Sequence, residues 1–473
     1  MKRSTSYLFL LLAASVFAAC RTEKTKPTVA YISGQYVGAE DSVLIDVRDY
    51  GKELSYNTPI SLDTVFSDTL GNFAVTIPLS EGKEIVLNSG FDFNKIFVEP
   101  GDSIYFETDN KHETPIEVVS GRGSDKFKVF LKLRSLINYG DFTDFDSAQV
   151  VSEYDRRFGE SQALIDSVKP HFSEAFNRYL KAQMIREKHY FEASFFGYLK
   201  NYRNIDIQRD SAAAVQMELD VFDNASIGDG NSDYAMDLMY LARSKAWKAD
   251  TANTVNRITH YKHVIDSLDI SKRFAQQLLA QGYLSYLNEG NVAELEPFLT
   301  NYYERYPDSD YNETLKDEYR DWYAISNGQP APDVEAMDPD GTVFHLSDLK
   351  GKVVYIDIWA TWCGPCLGEM PHAKKIKDHY KENNDIVFLY ISVDENKEKW
   401  LKYLEEHPDF KGMQVNDSGN FNSNITKAFK VRGIPRYIII DIEGKIFSTD
   451  AQRPSSGEKL ISELDRALEG PAA

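Results

Sequence analysis

Cysteine is scarce: three residues in 473 leave no disulfide framework to hold the chain, so its fold must come from packed cores. Two of the three, Cys363 and Cys366, form one Cys-x-x-Cys pair, and no second pair completes the four ligands of a structural zinc site. His372, further along, reads as a solvent-facing helix residue, and so do His260 and His263; no metal is expected. Positive charge is short as well. With 53 Lys and Arg against 73 Asp and Glu, the formal net charge of −20 excludes a nucleic-acid binder. Apolar runs of membrane-spanning length are missing, since the stretch Tyr7–Ala19 is too short. There is no Gly-rich phosphate loop ahead of a helix, no serine nucleophile elbow and no His-Glu zinc-protease motif. Whatever chemistry the chain carries falls on the cysteine pair.

That pair sits in Trp362-Cys363-Gly364-Pro365-Cys366, directly after the apolar run Val353-Val354-Tyr355-Ile356-Asp357-Ile358-Trp359. A buried strand ending in two cysteines that open a helix suits dithiol chemistry. Helix amides and the positive end of the helix dipole face the first sulfur, which favours a Cys363 thiolate near neutral pH. Cys366, one turn on, is placed to resolve a mixed disulfide. Asp357 interrupts the apolar strand, where an unpaired carboxylate is costly. With a raised pKa it would accept a proton from Cys366; the competing reading is a strand-end aspartate that caps the next turn. Gly433-Ile434-Pro435 precedes a strand from Tyr437 to Asp441. Proline there marks an edge or a turn, and a cis Ile434–Pro435 bond would hold this loop against the two sulfurs and offer its backbone to a substrate chain. A thiol peroxidase pattern, with threonine three residues before the reactive cysteine, fails because Ala360 stands there.

Elsewhere the composition changes twice along the chain. From 28 to 118, short runs such as Ser42–Val47, Asn72–Ile77, Glu84–Leu87 and Lys95–Val98 are punctuated by Gly, Pro, Asp and Asn, which predicts an all-β, sandwich-like domain. From 123 to 325 the period becomes helical, as in Phe127, Phe130, Leu131 and Arg134 or Leu278, Leu279, Tyr283 and Leu287, and predicts an all-α bundle. Its aromatics, among them Tyr190, Phe191, Phe195, Phe196, Tyr198 and Tyr202, are read as core. Leu295–Tyr319 resembles one tetratricopeptide hairpin, but no 34-residue self-similarity supports a repeat array.

Residues 327–470 resemble a thioredoxin-fold domain of the TlpA/ResA type, the membrane-tethered thiol-disulfide oxidoreductases of bacterial envelopes. The resemblance rests on Gly341, Leu346-Ser347-Asp348-Leu349-Lys350-Gly351-Lys352, the strand with Trp-Cys-Gly-Pro-Cys, Glu369-Met370-Pro371 and Gly433-Ile434-Pro435, in that order. It implies a C-terminal α/β thioredoxin fold, with Cys363 the nucleophile, Cys366 the resolving thiol, Asp357 the buried carboxylate and Pro435 the cis-proline. Trp362 and Ile434 would join Pro435 at the substrate. Many envelope members carry asparagine at the position of Asp357 and place a helper glutamate elsewhere, so Asp357 resembles cytosolic thioredoxin instead. The resemblance further implies protein thiol and disulfide partners, a membrane thiol carrier as electron donor, and no cofactor beyond the Cys363–Cys366 disulfide. Gly364-Pro365 resembles the reducing member of the fold, whose potential is about −270 mV, so reduction is the expected direction. The turn Glu99-Pro100-Gly101-Asp102 before Ser103–Phe106 resembles a β domain of unknown function that precedes thioredoxin domains in such lipoproteins.

At the start, Lys2-Arg3, the short apolar core and Phe17-Ala18-Ala19 before Cys20 read as a secretory signal. With cysteine at the cut, it resembles a bacterial lipoprotein signal: residues 1–19 removed, lipid on Cys20, and a polar tether over 20–27. An ordinary signal with an incidental cysteine is the alternative. Removing Lys2 and Arg3 takes the charge from −20 to −22, so the membrane contact would come from the lipid and not from a basic face. The expected location is the bacterial envelope, facing the periplasm, and Arg21 in place of aspartate after the lipid cysteine favours the outer membrane. The competing function is a surface or periplasmic binding lipoprotein that carries the thioredoxin fold as an accessory. Intact Cys363, Cys366, Asp357 and Pro435 argue against it.

Overall fold

The computed structural model describes residues 28–37, 42–49, 54, 61–88, 93–109, 118–137, 145–191, 196, 199, 220–250, 253–408, 410 and 412–470. The expected signal over 1–19, Cys20 and the tether to residue 27 lie outside the described residues, as do Phe195, Tyr198 and Tyr202. Among the described residues no helix is long and apolar enough to cross a membrane. The chain divides into two compact units, residues 1–249 with 259–281 and residues 250–258 with 282–473.

The first unit opens with strands β1 (Val29–Val37), β2 (Leu44–Arg48), β3 (Ser61–Phe66), β4 (Asn72–Pro78), β5 (Lys83–Asn88), β6 (Phe93–Val98), β7 (Ser103–Asp109) and β8 (Val118–Arg122). They form two four-stranded sheets, ordered β4-β1-β7-β8 and β3-β2-β5-β6. Strand β4 alternates strictly, burying Phe73, Val75 and Ile77 while its other side chains face water, as one-sided burial requires. Helices α1 (Ser124–Leu136), α2 (Ser147–Val168) and α3 (Glu174–Tyr190) follow. A capping box between Asp146 and Gln149 starts α2, and the Ser173 hydroxyl caps α3. Their Phe127, Phe130, Tyr154, Phe158, Phe176 and Tyr179 share one hydrophobic core with Ile32, Phe73, Ile85, Leu87 and Phe106 of the sheets.

Strand β5 is buried on both sides because α3 covers its second face. There Tyr179 donates a 2.6 Å hydrogen bond to Glu84, whose burial pushes its pKa up to about 7. Lys95 of β6 pairs with Asp233 on helix α4 (Ser232–Ala249). The chain continues through α5 (Thr254–Asp266), which exposes His260 and His263, and α6 (Lys272–Asn288).

In the second unit α7 (Val292–Arg305) and α8 (Asn312–Tyr323) make a helical hairpin. The connection is fixed by Tyr302 and Ser309, whose hydroxyls lie 2.9 Å apart, and by the Asn312 side-chain amide, which donates to the Tyr306 carbonyl at 2.9 Å. A seven-stranded sheet follows, ordered β10-β9-β13-β12-β11-β14-β15. Its members are β9 (Glu335–Met337), β10 (Val343–His345), β11 (Val353–Trp359), β12 (Ile386–Ser392), β13 (Met413–Asn416), β14 (Arg436–Ile440) and β15 (Ile446–Ser448). Helices α9 (Gly364–His379), α10 (Lys397–Glu406), α11 (Asn424–Ala428) and α12 (Glu458–Glu469) complete the unit. Every residue of β11 is buried, which is what an apolar run flanked by β12 in parallel and β14 in antiparallel register demands.

Candidate functional site

The site grows from the end of β11. After Trp359 the chain turns and Cys363 becomes the N-cap of α9, with Pro365 in the first turn, where its missing amide costs nothing. The Cys366 amide donates to the Cys363 sulfur at 3.2 Å, so the helix N-terminus is aimed at that sulfur. Cys363 and Cys366 are joined as a disulfide, with Cα atoms 5.3 Å apart. Both are buried, while Trp362 beside them is 55% exposed and meets Phe421 edge-on at 6.4 Å.

Asp357 lies in the middle of β11, the strand that leads into this pair, opposite Tyr390 and Tyr437 in the adjacent strands by register. It is 2% exposed, and its Oδ1 has no hydrogen-bond partner. Burial, reinforced by the charge of Glu369, pushes its pKa up to about 8. The carboxylate in turn raises the pKa of Tyr390 and Tyr437, after the larger effect of their own burial.

The loop before β14 brings the last expected group. The Ile434–Pro435 peptide is cis, and Arg436, the next residue, pairs with Ile358 of β11. Among the sequence-derived candidates, Cys363, Cys366, Asp357, Trp362, Ile434 and Pro435 thus fall on β11, the head of α9 and the loop entering β14. His372 is exposed on α9. No cluster of three His, Cys, Asp or Glu side chains suited to a metal ion occurs among the described residues.

Two further groups belong to the site and were given no role from sequence, Glu369 having been quoted only within the stretch Glu369-Met370-Pro371. Glu369 is buried on α9, one turn past Cys366, and accepts from the Ser455 amide at 2.8 Å and the Ser455 hydroxyl at 2.9 Å, with Arg453 at 3.7 Å. Its i, i+3 spacing from Cys366 was a usable signal, because such positions share a helix face. Asp394, just past β12, accepts from the Thr361 amide at 2.9 Å and the Thr361 hydroxyl at 2.7 Å, and its own position is fixed by the Ser392 hydroxyl at 2.8 Å. Nothing local in the sequence marks a pair 33 residues apart.

The redoxin family model matches residues 326–468. Thiol-disulfide oxidoreductase ResA of Bacillus cereus is 31% identical over 144 residues, which cover 30% of this chain and 75% of that protein. ResA of Bacillus subtilis is 31% identical over 123 residues, 26% of this chain and 66% of its own. A crystal structure of a candidate thiol-disulfide oxidoreductase from Bacteroides vulgatus is 40% identical, spanning 31% of this chain and 99% of that one, with a TM-score of 0.28. Through this C-terminal region the chain belongs to the ResA family of thioredoxin-fold thiol-disulfide oxidoreductases.

Proposed function

We propose that the chain is a lipid-anchored reductase of protein disulfides in the bacterial envelope, with Cys363 as nucleophile and Cys366 as resolving thiol. The observation that carries this reading is the disulfide at the head of α9 backed by a buried carboxylate with an unpartnered oxygen. In the reduced enzyme the Cys363 thiolate, favoured by the helix N-terminus, attacks one sulfur of a substrate disulfide and expels the other as a thiolate. Asp357 then takes the proton of Cys366, whose sulfur attacks Cys363 and releases the second substrate thiolate. Two electrons pass to the substrate, and the enzyme is left with the Cys363–Cys366 disulfide. A thiol donor at the membrane would reduce it again.

Trp362, Ile434 and Pro435 supply the substrate surface in this reading: an exposed indole beside the reactive sulfur and the backbone of the loop entering β14. Lipid on Cys20 holds the chain at the membrane, the outer one being favoured. ResA relatives, which are thiol-disulfide oxidoreductases by name, support the chemistry.

The test is a trap. A Cys366→Ser variant with Cys363 intact should accumulate mixed disulfides with envelope proteins, released by dithiothreitol. If Cys366→Ser traps nothing while Cys363→Ser with Cys366 intact does, the two roles are reversed.

A further inference from the structure

Helix α8 grips the chain just ahead of the cis-proline loop. Helix α11 ends in a Schellman motif: the Lys430 amide donates to the Lys427 carbonyl at 3.2 Å and the Val431 amide to the Thr426 carbonyl at 2.7 Å. The residue after the cap in this motif takes a left-handed backbone and is usually glycine. Here it is Lys430, with φ of 48°. A β-carbon in that conformation is strained, so local preference alone does not account for lysine.

The side chain does. Lys430 Nζ lies 2.9 Å from Glu318 and 3.3 Å from Asp321, both on α8, and 5.7 Å from the ring centre of Trp322. Trp322 is buried, and the Lys430–Glu318 pair is largely shielded, each side chain being less than a fifth exposed. Arg432 Nη2 adds a contact to Glu318 at 3.8 Å. Immediately afterwards come Gly433, Ile434 and Pro435, and then Arg436 enters β14. The loop is therefore held at both ends: by the sheet after Pro435, and by α8 before Gly433. All of these residues belong to the second compact unit.

We propose that Glu318 and Asp321, acting through Lys430, are positioning residues that set the cis-proline loop for polypeptide disulfides. This rests on reading Ile434–Pro435 as the surface that docks a substrate chain. A polypeptide that lays its backbone along the loop needs the loop fixed; a small disulfide reaching only Cys363 does not. Loosening the anchor should then act on KM for polypeptides and leave the chemistry of the sulfurs alone.

The experiment uses the full mature chain, with insulin as the polypeptide disulfide, turned over by dithiothreitol, and 5,5′-dithiobis(2-nitrobenzoate) as the small one, added to pre-reduced enzyme freed of dithiothreitol. For the Glu318→Gln/Asp321→Asn double variant and for Lys430→Gly, KM for insulin should rise about tenfold, as loss of positioning does, with kcat and the small-disulfide rate within about twofold. Lys430→Arg keeps the charge and should keep KM near wild type. Lys430→Gly relieves the backbone strain, so it stays testable if the helix variant folds poorly. Unchanged KM in both variants, or an equal fall in both substrates' rates, would overturn the positioning role while leaving the dithiol reading intact. A wild-type chain that reduces neither substrate would overturn both.

Discussion

Asp357 and Glu369 are two carboxylates on adjoining elements of one buried site, and the charge of Glu369 raises the pKa of Asp357. Burial remains the larger cause of that rise. The environments differ: Glu369 is satisfied by Ser455, whereas Asp357 has an unpartnered oxygen. The carboxyl with an unpartnered oxygen is the one suited to exchanging a proton.

Resolution of the mixed disulfide should therefore depend on pH through Asp357. In rapid-quench experiments the second step should quicken as pH rises towards about 8, because only ionised Asp357 can accept the Cys366 proton. Asp357→Asn should abolish that rise and slow the second step more than the first. Glu369→Gln should move the midpoint to lower pH, by the smaller of the two causes. Equal slowing of both steps in Asp357→Asn would make the residue structural.

The same shift has a stability consequence. The folded pKa, about 8, lies above the ordinary 3.8, so the folded chain holds the proton more tightly than the unfolded one. The contribution is fully present below about pH 4, is lost as pH rises through the folded pKa, and is absent above it. Asp357→Asn, neutral throughout, should match wild type near pH 4 and be more stable near pH 8.5, on the order of 3 kcal/mol after relaxation softens the full penalty. Thermal unfolding of the oxidised proteins at the two pH values measures the difference. The titration of Glu84 in the other unit is common to both proteins and cancels. No gain at pH 8.5 would mean that Asp357 is neither as buried nor as poorly solvated as it stands.

Much of this was legible in the chain, and for stated reasons. The run Val353–Trp359 had to be a fully buried strand, and cysteines after it had to open a helix. An aspartate inside such a run could not be well solvated. Legibility ended where contacts join distant segments. Glu84 falls in a strand whose second face is covered by α3, so its burial depends on Tyr179, 95 positions away. The change of composition near 325 marks where helical patterning stops, but the packed unit takes in residues 250–258 and everything from Gly282, and within it Glu318 and Asp321 hold Lys430 across more than a hundred residues.

The Thr361–Asp394 contact is another long-range tie, and it should govern the reactive cysteine. Asp394 is buried and takes two hydrogen bonds from the residue just before Trp362. Asp394→Asn keeps the shape but can no longer accept at both oxygens, since one becomes a donor. The expected result is a fall of about tenfold in kcat/KM for both small and polypeptide disulfides, with a changed pH dependence of Cys363 alkylation. Thr361→Ser, which retains both donors, should behave as wild type. If Asp394→Asn lowers only the melting temperature, the contact serves the fold and not the sulfur.

Cutting the chain at two points separates the role of α5–α8 from that of everything before them. A fragment from residue 327 contains the whole seven-stranded sheet but lacks Glu318, Asp321 and Trp322; one from residue 250, which includes the whole second unit, keeps them. Both should reduce the small disulfide at similar rates, because the sulfurs, Asp357 and the cis-proline loop lie within 353–435. The shorter fragment should melt lower and show the higher KM for insulin, since Lys430 then keeps a left-handed backbone with no carboxylate to hold it. Residues before 250, if they hold the site away from the membrane and restrict access to it, should alter only the rates for large folded substrates. A fragment from 327 that folds yet fails on the small disulfide would place part of the reactive site upstream and refute this division.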